Sequence, residues 1–168
     1  LLALRALKIL VDKKYNIHLS FIGRIRDDDY FFGLRQFIVS EELDDYVTFV
    51  GEVNNAGEHL YNFDVGILTS IYEGFPVSLI EYGIFGLPVI ATDVGECRFI
   101  IGEGGIIISS NEVEELSNAL EKYYLDRSLC HRHGRTFKKR VLQKFSRDIV
   151  LKKLVTFYTE VLENGATS

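Results

Sequence analysis

Two glutamates, Glu73 and Glu81, stand with seven residues between them around a Gly74-Phe75-Pro76 turn. Proline suits the first position of a helix, because its missing N–H would have no intrahelical partner and its φ is already helical. A helix starting at Pro76 leaves the N–H groups of Val77 and Ser78 pointing out of its end, where the helix dipole helps them hold a phosphate oxygen. Gly74, lacking a side chain, lets the backbone approach a ligand closely. Glu81 then lies about 7.5 Å along the helix axis from Pro76. That is too far for a phosphate at the tip but suits two vicinal hydroxyls, such as those of a ribose, which one carboxylate can accept together. Glu73, on the other side of the phosphate position, faces whatever hangs from the distal phosphate, and a sugar ring fits there. Taken singly, either glutamate is better explained as a solvated residue or a complement to the helix dipole. Together with Gly74 and Pro76, at the end of an apolar strand, they favour a binding site.

The elements that must position these residues alternate in type. Helical periodicity covers residues 1–14, 30–39, 56–61, 76–85, 113–124, 128–145 and 148–162, and short apolar runs cover 17–22, 46–50, 65–69, 88–91 and 105–108. The runs are apolar throughout rather than alternating, as expected of a parallel sheet with helices on both faces. The fold class is therefore α/β, a three-layer doubly wound, Rossmann-like parallel sheet whose ligand lies at the carboxyl ends of the strands. Residues 1–125 form the Rossmann-like binding domain, and residues 126–168 form C-terminal helices packing on the same domain.

Composition narrows the function. The 168 residues carry 19 Lys and Arg against 24 Asp and Glu, a net charge of −5, which argues against nucleic acid held by neutralising many phosphates. The basic run Lys138-Lys139-Arg140 reads as a solvated helix face. Cys97 and Cys130 have no metal-ligand or disulfide spacing, so no metal site and a reducing, cytoplasmic compartment are expected. Cys97 lies near the proposed site, with no lysine or histidine beside it to lower its pKa. His131 and His133 mark a polar helix face. The first apolar stretch is too short to cross a bilayer. The sequence opens Leu1-Leu2 and contains no methionine, which is expected of a piece of a longer protein.

The run "SIYEGFPVSLIEYGIFGLPVIATDVGE" resembles the signature of the family 4 retaining glycosyltransferases of the GT-B fold. In that family Glu, seven residues and Glu frame a nucleotide-sugar site. "HLSFIGR", "VTFVGEV", "FDVGILTS" and "GEGGIIISSNEVEELSNALEKY" resemble further strands of its C-terminal lobe in order. The resemblance implies that the chain is the donor-binding half of an enzyme moving a sugar from a nucleoside diphosphate to a saccharide or lipid-linked acceptor. It assigns the backbone of Gly74, Phe75, Pro76, Val77 and Ser78 to the diphosphate and Glu81 to ribose. It assigns Glu73 to the donor sugar, as the catalytic position, and the turn around Val53 to the base. No metal or other cofactor is implied. The acceptor would be bound by an N-terminal domain outside this sequence, and peripheral membrane contact would come through the full-length protein. Gly23 and Arg24 end one strand, where Arg24 could reach a phosphate or pair with Asp27 to Asp29. A nucleotide-sugar isomerase, such as a UDP-amino-sugar 2-epimerase, and a non-catalytic nucleotide-binding module are the alternatives.

Three departures from the family pattern bear on the site. Tyr82-Gly83-Ile84 replaces "AMA", putting glycine where alanine would favour the helix by about 1 kcal/mol. Glu96 and Phe99 stand where the family often has glycine and glutamate. The family's first strand is missing, which predicts a gap in the sheet between residues 17–22 and 65–69, with 46–50 at one edge and 105–108 at the other.

Overall fold

The computed structural model describes residues 1–26 and 28–165. Helices and strands alternate as α1 (Leu2–Asp12), β1 (Leu19–Ile22), α2 (Asp29–Ser40), β2 (Val47–Gly51), α3 (Gly57–Leu60) and β3 (Gly66–Leu68). The order continues with α4 (Val77–Phe85), β4 (Val89–Thr92), α5 (Cys97–Ile101), β5 (Gly105–Ile108), α6 (Val113–Leu125), α7 (Arg127–Lys144) and α8 (Arg147–Gly165). Every strand pairing is parallel. The strands form two sheets, β1–β2 and β3–β4–β5. No ladder joins β1 to β3, so the expected gap is present, with β2 and β5 at the outer edges.

Alternation along β4 generates the three layers. Val89 and Ala91 point into a cluster with Leu79 of α4, Ile100 and Ile101 of α5, and Phe137 and Val141 of α7. Ile90 points the other way, into a cluster with Ala3, Ala6 and Leu10 of α1 and Leu116 and Leu120 of α6. Ile106 and Ile108 against Ile107 repeat the pattern on β5, as period-two side chains on a sheet covered on both faces must. A third cluster seats Leu4 and Leu7 of α1 with Leu34 and Ile38 of α2 over β1 and β2. Phe21 and Phe49 stack at 5.1 Å across that small sheet.

Local chemistry sets the helix ends. The Asp28 carboxylate accepts from the Phe31 N–H at 2.9 Å, and the Asp126 carboxylate accepts from the Leu129 N–H at 2.8 Å, capping α2 and α7. Gly86 ends α4 in the left-handed region at φ 75°. Pro76 differs from expectation by one position. Its ψ of 109° is extended, so it is the N-cap of α4 and Val77 is the first helical residue. A φ of −71° serves either position, and the extended ψ lets the Pro76 carbonyl accept from the Leu79 N–H at 3.3 Å. The short helix α5 was not anticipated, because five residues are too few to display a helical period.

Gly83 reverses the expectation that alanine would be better. A Cβ there would stand 2.3 Å from Cγ2 of Val141, so α7 reaches α4 only because residue 83 has no side chain. Arg140 is likewise more than a solvated residue. Its guanidinium donates to the carbonyls of Ile100, at 2.9 Å, and of Phe99, at the C-terminal end of α5 where a cation complements the dipole. While α7 packs on α4 and α5, every side chain of α8 from Val150 to Glu163 is exposed, which departs from the expectation that both closing helices pack on the domain. Nothing in the described chain opposes the apolar stripe of α8. His133, expected on a polar face, is half-buried with Nδ1 2.8 Å from the Tyr123 hydroxyl.

Two stability predictions follow from these contacts. Gly83→Ala overpacks the α4–α7 contact, which should cost about 1 to 3 kcal/mol, more than the helical preference returns. Urea unfolding should show a lower midpoint for Gly83→Ala and recovery when Val141→Ala is added. Burial, with Arg132 and Lys122 adding, pulls the His133 pKa below its ordinary value of 6.5. The unfolded chain therefore binds this proton more readily than the folded one. The contribution is full above that value and is lost as pH falls through it toward the folded pKa. Melting temperature should drop between about pH 7.5 and 5.5, and drop less in His133→Gln.

Candidate functional site

The expected gap between the facing edges of β1 and β3 opens a space of about 1330 Å³, walled along the strands by Leu19, Phe21, Val65 and Ile67 and reaching the site only at their carboxyl ends. Gly23, Arg24 and Val53 line it from the β1–β2 side, and Ser70, Ser78 and Glu81 from the β3–α4 side. Gly23, at φ 140°, turns the chain out of β1 while its N–H donates to the Gly51 carbonyl at 2.9 Å. Arg24 is exposed, and no ion pair holds it among the described residues. Asp27, one of the acids considered as its partner, lies outside the described residues. Val53 is half-buried in the turn that follows β2.

α4 meets the cleft with its first turn. Val77 and Ser78 are its first two residues, whose N–H groups have no intrahelical acceptor, and no side chain caps them. Ser78 and Glu81 lie one turn apart and share the cleft face, and Glu81 is exposed to it. Pro76 is buried beneath the turn, whereas Phe75 and Val77 are exposed. A Cβ on Gly74 would meet nothing within 4 Å, so there is open space for a close approach.

Glu73, Gly74, Phe75, Pro76 and Val77 are not part of the cleft wall itself; they form its rim. Ser70 joins the two regions. It lines the cleft, and its hydroxyl donates to Oε1 of the half-buried Glu73 at 2.6 Å. The Thr92 hydroxyl, 1% exposed at the end of β4, donates to the Ser70 carbonyl at 2.6 Å. The turn after β4 supports the same rim, with the Glu96 N–H donating to the Gly74 carbonyl at 3.1 Å. Ser70, Thr92 and Gly95 were not singled out from the sequence. Their signal was weak but present: a hydroxyl residue closing an apolar strand, and a serine three residues before a site glutamate.

The neighbouring groups are largely committed. Cys97 is fully buried, and burial, with the charges of Glu73 and Asp93 nearby, pushes its thiol pKa up. Arg98 forks onto Asp93 through bonds of 3.1 and 2.6 Å, and this pairing holds the Asp93 carboxyl below the usual range. Phe99 is half exposed, with the Lys144 ammonium 5.6 Å and the Arg140 guanidinium 5.8 Å from its ring centre. Phe145 meets both Phe75 and Phe99 edge to face.

The chain is 29% identical over 164 residues to the capsular polysaccharide biosynthesis glycosyltransferase CapM of Staphylococcus aureus, covering 96% of this chain and 43% of CapM. It superposes with TM-score 0.81 on Anabaena Alr3699/HepE in complex with UDP and glucose, at 20% identity, covering 99% of this chain and 44% of that one. It also superposes with TM-score 0.77 on the C-terminal domain of the group 1 glycosyl transferase LpcC from Francisella tularensis, at 23% identity, covering 87% of this chain and 78% of that one. The fold is thus that of the Rossmann-like C-terminal lobe of GT-B glycosyltransferases. The chain spans less than half the length of CapM. Residues 1–140, lobe and cleft together, match the model of the family "Glycosyl transferases group 1", and the chain belongs to that family.

Proposed function

We propose that this chain is the donor-binding half of a retaining, family 4 glycosyltransferase. It moves a sugar from a nucleoside diphosphate to a saccharide or lipid-linked acceptor in polysaccharide or glycolipid synthesis. The observation that carries the proposal is the placement of Gly23, Arg24, Val53, Ser78 and Glu81 at the carboxyl ends of the strands beside the uncapped start of α4, with Glu73 held next to them by Ser70. The turn around Val53 would seat the base, Glu81 the ribose, and Val77 and Ser78 N–H groups with Arg24 the diphosphate. Glu73 would hold the donor sugar. When the bond from the anomeric carbon to the diphosphate oxygen breaks, the electron pair leaves with the nucleoside diphosphate. Its growing charge is met by oriented N–H dipoles and the α4 terminus. The chemistry draws on no metal or cofactor, so a chelator should leave turnover unchanged.

The UDP and glucose of the HepE complex support a nucleotide-sugar donor, and the CapM relative supports a polysaccharide product. No observation favours the isomerase or the non-catalytic module. The acceptor would sit on a second, N-terminal domain across the cleft. The enzyme would work in the cytoplasm, in peripheral contact with the inner face of the membrane. No helix among the described residues is long and apolar enough to cross a membrane. Calorimetric titration with UDP, GDP and ADP sugars tests the donor site. Absence of binding by all three would overturn it. The isolated chain should bind the right nucleotide weakly and transfer no sugar to any acceptor.

The two carboxylates should separate in the full-length enzyme. Glu81→Ala removes bonds to ribose, which donor and free nucleoside diphosphate both carry, so each should bind about ten- to a hundredfold more weakly. Glu73→Ala should leave nucleoside diphosphate affinity unchanged and lower kcat, because its partner is the transferring group. Equal weakening of free nucleoside diphosphate by both substitutions would refute the division of ribose and sugar between them.

A further inference from the structure

We infer that Ser70 and Thr92 are positioning residues for Glu73, forming a relay that runs from the buried strand β4 to the site carboxylate. The inference rests on the donor-site reading above and deepens it.

The ladder between β3 and β4 ends at Leu68 opposite Ala91, while β4 continues to Thr92, which is paired only with Ile108 on its other side. Thr69 and Ser70 are therefore beyond the last strand pairing. The buried Thr92 hydroxyl supplies what the ladder does not, donating to the Ser70 carbonyl at 2.6 Å. With its backbone fixed in this way, Ser70 donates its own hydroxyl to Oε1 of Glu73 at 2.6 Å. Oε2 accepts no hydrogen bond among the described residues, and is the atom left to receive a ligand hydroxyl.

A second attachment secures the backbone on the far side of Glu73. Gly95, at φ 50°, lies so close that a Cβ there would stand 2.1 Å from the Glu73 carbonyl oxygen and 2.8 Å from that of Gly74. Glu96 then donates its N–H to the Gly74 carbonyl. The loop bearing Glu73 is thus gripped by side chain at Ser70 and by backbone at Gly74, both times from β4 or its exit turn. A free glutamate loses rotamer entropy when it is ordered. Ordering it beforehand moves that loss out of the catalytic cycle.

A purely structural role for these hydroxyls predicts lost stability and unchanged chemistry per folded molecule. The positioning role predicts a different pattern. The test uses the full-length polypeptide with whichever of the UDP, GDP or ADP sugars it turns over, with unfolding midpoints measured in parallel. Ser70→Ala should lower kcat about ten- to a hundredfold while KM for the donor and affinity for free nucleoside diphosphate stay within about twofold. Ser70→Thr, which keeps the hydroxyl, should recover most of the rate. Thr92→Val, nearly isosteric and therefore expected to fold, should shift kcat in the same direction, and Thr92→Ser should recover it. Because the relay acts through Glu73, adding Ser70→Ala to Glu73→Ala should cost nothing further. Normal turnover by Ser70→Ala beside a crippled Glu73→Ala, or multiplicative losses in the double variant, would overturn the relay and leave the donor site standing. Normal turnover by Glu73→Ala, or none by the unaltered enzyme with any of the three donors, would overturn the donor-site reading and the relay with it.

Discussion

All four side chains of β4 are buried, and the strand is bonded to β3 on one edge and β5 on the other. Each large aliphatic side chain so buried contributes about 1.5 to 3 kcal/mol, so displacing this strand means opening both helix layers at once. The site borrows that rigidity. Its loops contain exposed residues from Ile71 to Phe75 and no ladder of their own, yet they attach to β4 and its exit turn through Thr92, Gly95 and Glu96. A carboxylate on a surface loop is thereby referred to the least movable part of the molecule. Close fit has a consequence elsewhere too. α7 reaches the layer beneath β4 only through glycines, with Gly83 beneath Val141 and Gly134 against the Gly86 carbonyl.

One helix packs against both sheets. Among the described residues no ladder crosses from β1 to β3, where a further strand is expected in the longer protein. α1 presents Ala3, Ala6 and Leu10 to the cluster over β4 and β5, and Leu4 and Leu7 to the cluster over β1 and β2. Ala3 and Leu7 also line the cleft. Lys13 and Tyr15 anchor the far end of the helix on Glu121 of α6, with bonds of 3.0 and 2.7 Å.

Much of this architecture is legible in the sequence because it depends on one-dimensional patterns. Continuous apolar runs such as 105–108 and amphipathic stretches such as 113–124 declare themselves through period, and the Glu73 to Glu81 frame declares itself through spacing. Contacts between distant segments do not. Gly83 looked like a weakened helix position because its reason is Val141, fifty-eight residues away in sequence. Thr92, just past the apolar run 88–91, carries only a weak signal because its acceptor, the Ser70 carbonyl, belongs to a different strand end. His133 looked solvated because Tyr123, its partner, lies on the preceding helix. Pro76 was misplaced by one residue for a different reason: φ is fixed by the ring, whereas the ψ that separates a cap from a first helical residue is free.

The same physics bears on how the proposed site would hold a dianion beside two carboxylates. Several cations around the rim are already committed, Arg98 to Asp93 and Arg140 to the carbonyls at the end of α5. The positive side-chain charge that lines the cleft and stays unpaired among the described residues is that of Arg24. Two carboxylates share the region, and a site built on cations alone would be drawn toward them, with Glu73 and Glu81 competing with phosphate for every positive group. In the proposed site, backbone N–H groups at the uncapped start of α4 would avoid this competition. Their dipoles are fixed by the helix and cannot swing away to pair with a glutamate, and they leave the carboxylates free to accept hydroxyls. In the proposed site, fixed peptide geometry would thus help separate an anion that must bind from two carboxylates that must stay free to accept hydroxyls.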